Sequence, residues 1–104
     1  FAMPSRSRLM GLEVEGLGIV YLEASSCGLP VLAGDSGGAP DAVIQNETGL
    51  VVSGTNNEEI ASAAVALLTN LEASQKMGVA GRQWIVDNWR WEIWSKGFEE
   101  LLKK

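Results

Sequence analysis

The chain has 104 residues, 46% hydrophobic and 20% charged, a balance that supports one small packed domain and excludes a disordered chain. Thirteen acidic against eight basic residues give a formal net charge of -5, the wrong sign for a nucleic-acid partner. The lone Cys27 and the absence of His leave no internal disulfide and no zinc ligand set, so a reducing, cytoplasmic setting is expected, with Cys27 as a small buried hydrophobe.

Phe1-Ala2-Met3 is apolar, has no signal-peptide character and reads as the inside of a strand, so the chain is expected to be a piece of a longer protein. Gly18 to Cys27 predicts a short helix, stopped by Gly28 and then Pro30. Pro30-Val31-Leu32-Ala33-Gly34 follows as a strand buried on both faces. Gly37-Gly38-Ala39-Pro40 predicts a turn into a short helix through Ile44, and Asn46 to Gly49 turns into a second buried strand, Leu50-Val51-Val52. Asn46-Glu47-Thr48 is formally a glycosylation sequon, which a cytoplasmic chain would not use.

Thr55-Asn56-Asn57-Glu58 predicts a capping box at Thr55. The helix after it carries Ile60, Ala64, Leu67, Leu68 and Leu71 on one face for burial. A segment from Glu72 is expected to end at Gly78, with another helix over Val79 to Trp89. A last helix lines Trp91, Trp94, Phe98, Leu101 and Leu102 on one stripe, expected as core or domain-docking surface, with Lys103 and Lys104 at its negative end. Strands alternating with helices, without hairpin signals, predict a parallel sheet covered by helices. Two strands and a stub make a poor independent core, so further strands N-terminal to Phe1 are expected.

Glu15-Gly16-Leu17-Gly18-Ile19 to Glu23 is where chemistry concentrates. Two glycines before a helix leave backbone N–H groups and a positive dipole end for a phosphate or diphosphate. Glu15 sits at that helix mouth and Glu23 eight residues on. If the steps between were helical, the two would stand roughly 12 Å apart along the axis. Glycosidase carboxyl pairs stand about 5 to 9.5 Å apart, so that spacing suits two carboxylates gripping the two sugars of a nucleotide sugar better than hydrolysis. Spacing alone leaves open that Glu23 is a solvent-facing residue and that Glu15 merely favours the helix N-terminus. No Gly-x-Gly-x-x-Gly run follows a strand, which disfavours a Rossmann-type oxidoreductase.

Glu15-Gly16-Leu17-Gly18 through Glu23-Ala24, Cys27-Gly28-Leu29-Pro30-Val31, Gly37-Gly38-Ala39-Pro40-Asp41 and Thr48-Gly49-Leu50-Val51-Val52 occur here in one order. Together they resemble the C-terminal Rossmann-like domain of retaining family 4 glycosyltransferases of the GT-B fold. Within that family the chain looks most like the phosphatidylinositol mannoside mannosyltransferases, and the likeness extends through Met77-Gly78, Ala80-Gly81-Arg82 and the Trp-rich end. The resemblance implies that residues 1–104 are the C-terminal part of the donor-binding domain. It implies transfer of a hexosyl group, mannose from GDP-mannose, to an acceptor hydroxyl such as that of a glycolipid.

By the same resemblance Glu15, the catalytic position, would contact the donor sugar and Glu23 the ribose, while amides around Gly16, Leu17, Gly18 and Ile19 would serve the diphosphate. No metal and no cofactor beyond the donor is implied. The Arg and Lys pair of the family would lie before Phe1, as would an N-terminal acceptor-binding domain through which a full-length protein could meet a lipid acceptor at a membrane surface. Arg6 and Arg8 lie near the site without a motif that replaces that pair, and Leu17 stands where many members have Phe. The alternative is a non-catalytic nucleotide-binding or scaffold fragment of the same fold, inactive without the N-terminal half.

Overall fold

The computed structural model describes residues 1–104. Strands β1 (Ala2–Met3), β2 (Val31–Gly34) and β3 (Gly49–Val52) form one parallel sheet in the order β1-β2-β3. Leu32 is opposite Ala2 on one side and Leu50 on the other, so β2 is central and all four of its residues are buried. This is the buried parallel strand that an uninterrupted Val-Leu-Ala run predicts. Helix α1 (Ile19–Ser26) precedes β2, and α2 (Asn57–Thr69), α3 (Leu71–Asn88) and α4 (Trp91–Leu102) follow β3.

Small residues dominate the core, in which Tyr21 and Ala24 of α1 pack on Val31, Ala33, Ala39, Ala42 and Val43. Tyr21 is its one large anchor. The fully buried phenol donates to the carbonyl of Met3 and shares a 3.1 Å hydrogen bond with Ser5 Oγ, which ties α1 to the end of β1. Tyr21→Phe keeps the ring and deletes both bonds. It is expected to destabilise the fold by about 1–2 kcal/mol, read as a lower denaturant midpoint at unchanged slope.

Four local expectations are corrected. The segment after Gly38 is a single 3-10 turn, Ala39–Ala42, and Val43 is already extended at φ -140°, ψ 130°. The buried Thr48 hydroxyl accepts the Ile44 N–H at 2.9 Å, drawing the chain away from helix towards β3 and occupying the sequon's threonine. At α2 the N-cap is Asn56, whose Oδ1 accepts from the Glu59 N–H, while the Thr55 hydroxyl bonds Ser53. Gly78 does not end a helix: α3 runs unbroken through it, and a Cβ there would lie 2.0 Å from the Gly28 carbonyl oxygen. Close approach of α3 to the α1–β2 turn demands that glycine, although glycine inside a helix costs about 1 kcal/mol relative to Ala. Finally, Cys27 caps α1 with an exposed, free thiol rather than a buried one.

Burial is sparse beyond this core, with 18 of 104 residues buried. Part of the predicted α2 stripe is covered, but Leu68 and Leu71 are exposed, as is the whole α4 stripe of Trp91, Trp94, Phe98, Leu101 and Leu102. That stripe is therefore surface in this chain, not core. Trp94 instead stacks on Trp89, their ring centroids 5.2 Å apart, and Trp89 meets Trp84 edge-on. No helix is long and apolar enough to cross a membrane.

Candidate functional site

Helix α1 begins only at Ile19, because Gly18 turns the chain through the left-handed region at φ 78°, ψ 63°. A Cβ at Gly18 would also lie 2.4 Å from the Tyr21 ring, so both conformation and packing require glycine. The consequence for the two acids is direct. Of the eight steps from Glu15 to Glu23 only the last four are helical, contributing roughly 6 Å of rise, so the continuous helix on which the 12 Å figure was conditional is not present.

Glu15 is half-buried and is held by its backbone. Its N–H donates to Ser36 Oγ at 3.0 Å, and its carbonyl accepts from the Gly38 N–H at 3.1 Å. The buried Ser36 hydroxyl is also 3.0 Å from Ser7 Oγ, so one side chain ties the loop before the site to the Glu15 backbone. Gly37 and Gly38 press directly on this segment: a Cβ at 37 would lie 1.9 Å from the Glu15 carbonyl oxygen, and one at 38 would lie 2.0 Å from that of Gly16. Ser36-Gly37-Gly38 is thus a platform under Glu15 and Gly16. Sequence reasoning took the glycine pair for a flexible turn and passed over Ser36, whose partner stands 21 residues away.

Backbone N–H groups of Gly16, Leu17, Gly18, Ile19 and Val20 donate to no group of the protein. This is a run of five donors at the positive end of a helix, where negative charge is favoured. Gly16 differs from its neighbours: its φ is ordinary and a Cβ there would meet nothing within 4 Å. Neither strain nor internal packing demands glycine at that position.

The carboxylates of Glu15 and Glu23 make no hydrogen bond or ion pair within the protein. They line neighbouring concavities, with the free amides between them along the chain. Glu15 shares one with Ser36, Arg6 and Arg8. Glu23, exposed on α1, shares the other with Leu17, Ile19 and the indoles of Trp89, Trp91 and Trp94. All six predicted positions therefore fall on one continuous segment, although the structure does not bring the two acids into a single pocket. The tryptophans beside Glu23 are read from the sequence as core or docking surface in preference to a ligand platform.

The family model for glycosyl transferases group 1 matches residues 1–84. Among relatives, the chain is 55% identical, over 98% of its length, to the GDP-mannose-dependent alpha-(1-6)-phosphatidylinositol monomannoside mannosyltransferase of Mycolicibacterium smegmatis. The chain spans 27% of that relative. The fold superposes on sucrose-phosphate synthase from Thermosynechococcus elongatus with a TM-score of 0.84 at 29% identity, covering 98% of this chain and 24% of that one. It superposes on Anabaena HepE in complex with UDP with a TM-score of 0.86 at 20% identity, covering 98% and 26%, a likeness of fold. A parallel sheet with flanking helices, a glycine-opened α1 and a family match over four-fifths of the residues converge: the chain belongs to the glycosyl transferases group 1 family and has the Rossmann-like architecture of GT-B glycosyltransferases.

Proposed function

We propose that residues 1–104 form the C-terminal part of the nucleotide-sugar-binding domain of a retaining hexosyltransferase, working within a longer polypeptide. The donor is GDP-mannose and the acceptor a hydroxyl of a glycolipid. The identity to a GDP-mannose-dependent mannosyltransferase supports the choice of donor. The observation that carries the reading is the run of five unengaged amides, Gly16 to Val20, flanked by two carboxylates that no protein group engages.

In this reading the diphosphate lies against those amides, which meet charge as it develops on the leaving group. The carboxylate of Glu15 accepts from hydroxyls of the sugar and orients it, acting as the catalytic residue of this chain. The carboxylate of Glu23 accepts from the ribose hydroxyls. Gly16, without a Cβ, lets the ligand reach the amide row. Transfer proceeds without a metal, as the resemblance implies. An N-terminal domain supplies the acceptor site, and the whole protein works in the cytoplasm, associated with the membrane that holds its lipid acceptor.

Ligand-observed NMR on the full-length protein with GDP, UDP and ADP tests the donor half of this proposal. GDP is expected to respond selectively, and Glu23→Ala to weaken its binding about tenfold or more, the loss of a charge-assisted pair of hydrogen bonds. Equal responses to all three would remove the assignment of GDP. No response to any of them would leave the scaffold reading.

A further inference from the structure

We propose that Ser7 is a positioning residue for sugar transfer, acting through Ser36 on the backbone of Glu15. From Arg6 to Val14 the loop between β1 and α1 bonds almost entirely to itself. Arg8 and Glu13 exchange two backbone hydrogen bonds, at 2.8 and 3.1 Å, and the Gly11 and Leu12 N–H groups turn back to the carbonyls of Arg8 and Leu9. One hydrogen bond leaves this segment for the rest of the protein, between Ser7 Oγ and Ser36 Oγ at 3.0 Å. It ends on the one side chain that bonds the Glu15 backbone.

Burial decides which hydroxyl donates. Ser36 is 2% exposed, and its oxygen already accepts the Glu15 N–H. Its own proton has a single partner in reach, Ser7 Oγ. The opposite direction would strand that proton in a buried site without an acceptor. A hydroxyl that donates is also a stronger acceptor, so Ser7 strengthens the bond between Ser36 and Glu15. On the β2 side, the Ser36 carbonyl accepts the Ala39 N–H at 3.0 Å, which holds the Ser36 backbone. The hydroxyl can still turn about χ1, and Ser7 selects the rotamer that faces Glu15.

Bonds to the N–H and the carbonyl of Glu15 fix the peptide planes on both sides of its Cα, and with them the direction in which the carboxylate leaves the chain. Without Ser7 the Ser36 rotamer is released, the N–H side loosens, and the carboxylate swings. Turnover is more sensitive than affinity to such misorientation of a group that orients the substrate. A bond that only stitched the loop down would act on stability instead. The effect on turnover rests on the role proposed for Glu15; the link from Ser7 to the Glu15 amide does not.

Steady-state kinetics of the full-length protein with GDP-mannose, together with hydrogen exchange at the Glu15 amide, test the inference. Ser7→Ala is expected to lower kcat about fivefold and to speed exchange at Glu15 about fivefold, with donor KM and thermal melting unchanged. Ser7→Thr keeps the hydroxyl and restores both. In a Glu15→Ala background Ser7→Ala costs nothing further, because the two act as one unit. Ser53→Ala removes a hydroxyl pair of the same 3.0 Å length, with Thr55, that has no bond to Ser36 or Glu15, and leaves kcat at the parent value. Should Ser7→Ala fold poorly, Ser7→Cys, a weak acceptor of similar size, reads the same loss. The inference is overturned if Ser7→Ala turns over as the parent does, moves KM alone, or multiplies the Glu15→Ala defect in full. An equal loss in Ser53→Ala would overturn it as well. Unchanged exchange beside a defective Glu15→Ala sinks the Ser7 link alone, whereas a fully active Glu15→Ala sinks the role of Glu15 and this inference together.

Discussion

Glu15→Ala in the full-length protein is expected to lower kcat/KM for sugar transfer about 10- to 100-fold, with most of the loss in kcat. The Glu15 carboxylate is half-buried, unengaged by the protein, and fixed by a backbone bonded on both sides, through its N–H to Ser36 and its carbonyl to Gly38. A side chain placed so firmly can hold the sugar in one orientation, and orientation acts on the transition state as well as on binding. Glu23 is the contrast. Standing exposed on α1 in a separate concavity, it has the placement of a binding group, so Glu23→Ala should raise donor KM with little change in kcat. Steady-state kinetics of the two variants, each checked by thermal melting, decides the matter. If both variants match the parent, or if both move KM alone, Glu15 has no orienting role.

Ser36→Ala refines this picture, because Ser36 touches the backbone of Glu15 and not its carboxylate. Removing the hydroxyl frees both the Glu15 N–H and the Ser7 hydroxyl, so its effect should resemble a weakened Glu15 variant with the carboxylate still present.

Elements closed by local chemistry were legible in the sequence. Helix α1 ends where Gly28 takes a positive φ, and β2 and β3 appear as apolar runs between glycine turns. All six candidate positions lie on one segment, so their proximity along the chain was legible. Misreadings arose where a residue could serve more than one partner, some of them far along the chain. Gly78 resembles a helix stop until α3 is seen to cross the Gly28 carbonyl. The cap at α2 was ambiguous because Thr55 and Asn56 are both cap formers, and Ser53 takes the threonine. The separation of Glu15 from Glu23 assumes helix throughout, but α1 begins only at Ile19, four residues past Glu15. Exposure of the α4 stripe could not be read either, because periodicity marks an apolar face without naming what covers it.

The glycines around the site yield the second large effect, as a pair with opposite outcomes. Gly38→Ala would drive a methyl group to 2.0 Å from the Gly16 carbonyl oxygen, a backbone atom that cannot swing aside. Either the Ser36 to Gly38 platform or the Glu15 to Gly16 segment must move, at a cost of about 2–3 kcal/mol, the upper range for overpacking. Transfer should fall at least as far as in Glu15→Ala, since the Gly38 N–H to Glu15 carbonyl bond lies on the strained contact. Gly16→Ala adds the same methyl group on the other side of this contact, where nothing lies within 4 Å and φ is ordinary. Its melting temperature should therefore equal or slightly exceed the parent's, as replacing glycine restricts the unfolded chain. Donor binding is nevertheless expected to weaken about tenfold, because the methyl group would stand where the ligand approaches the amide row. A stable Gly16→Ala protein with unchanged donor affinity would mean that the open space at this position is not the ligand's, and the assignment of the amides to the diphosphate would fall with it.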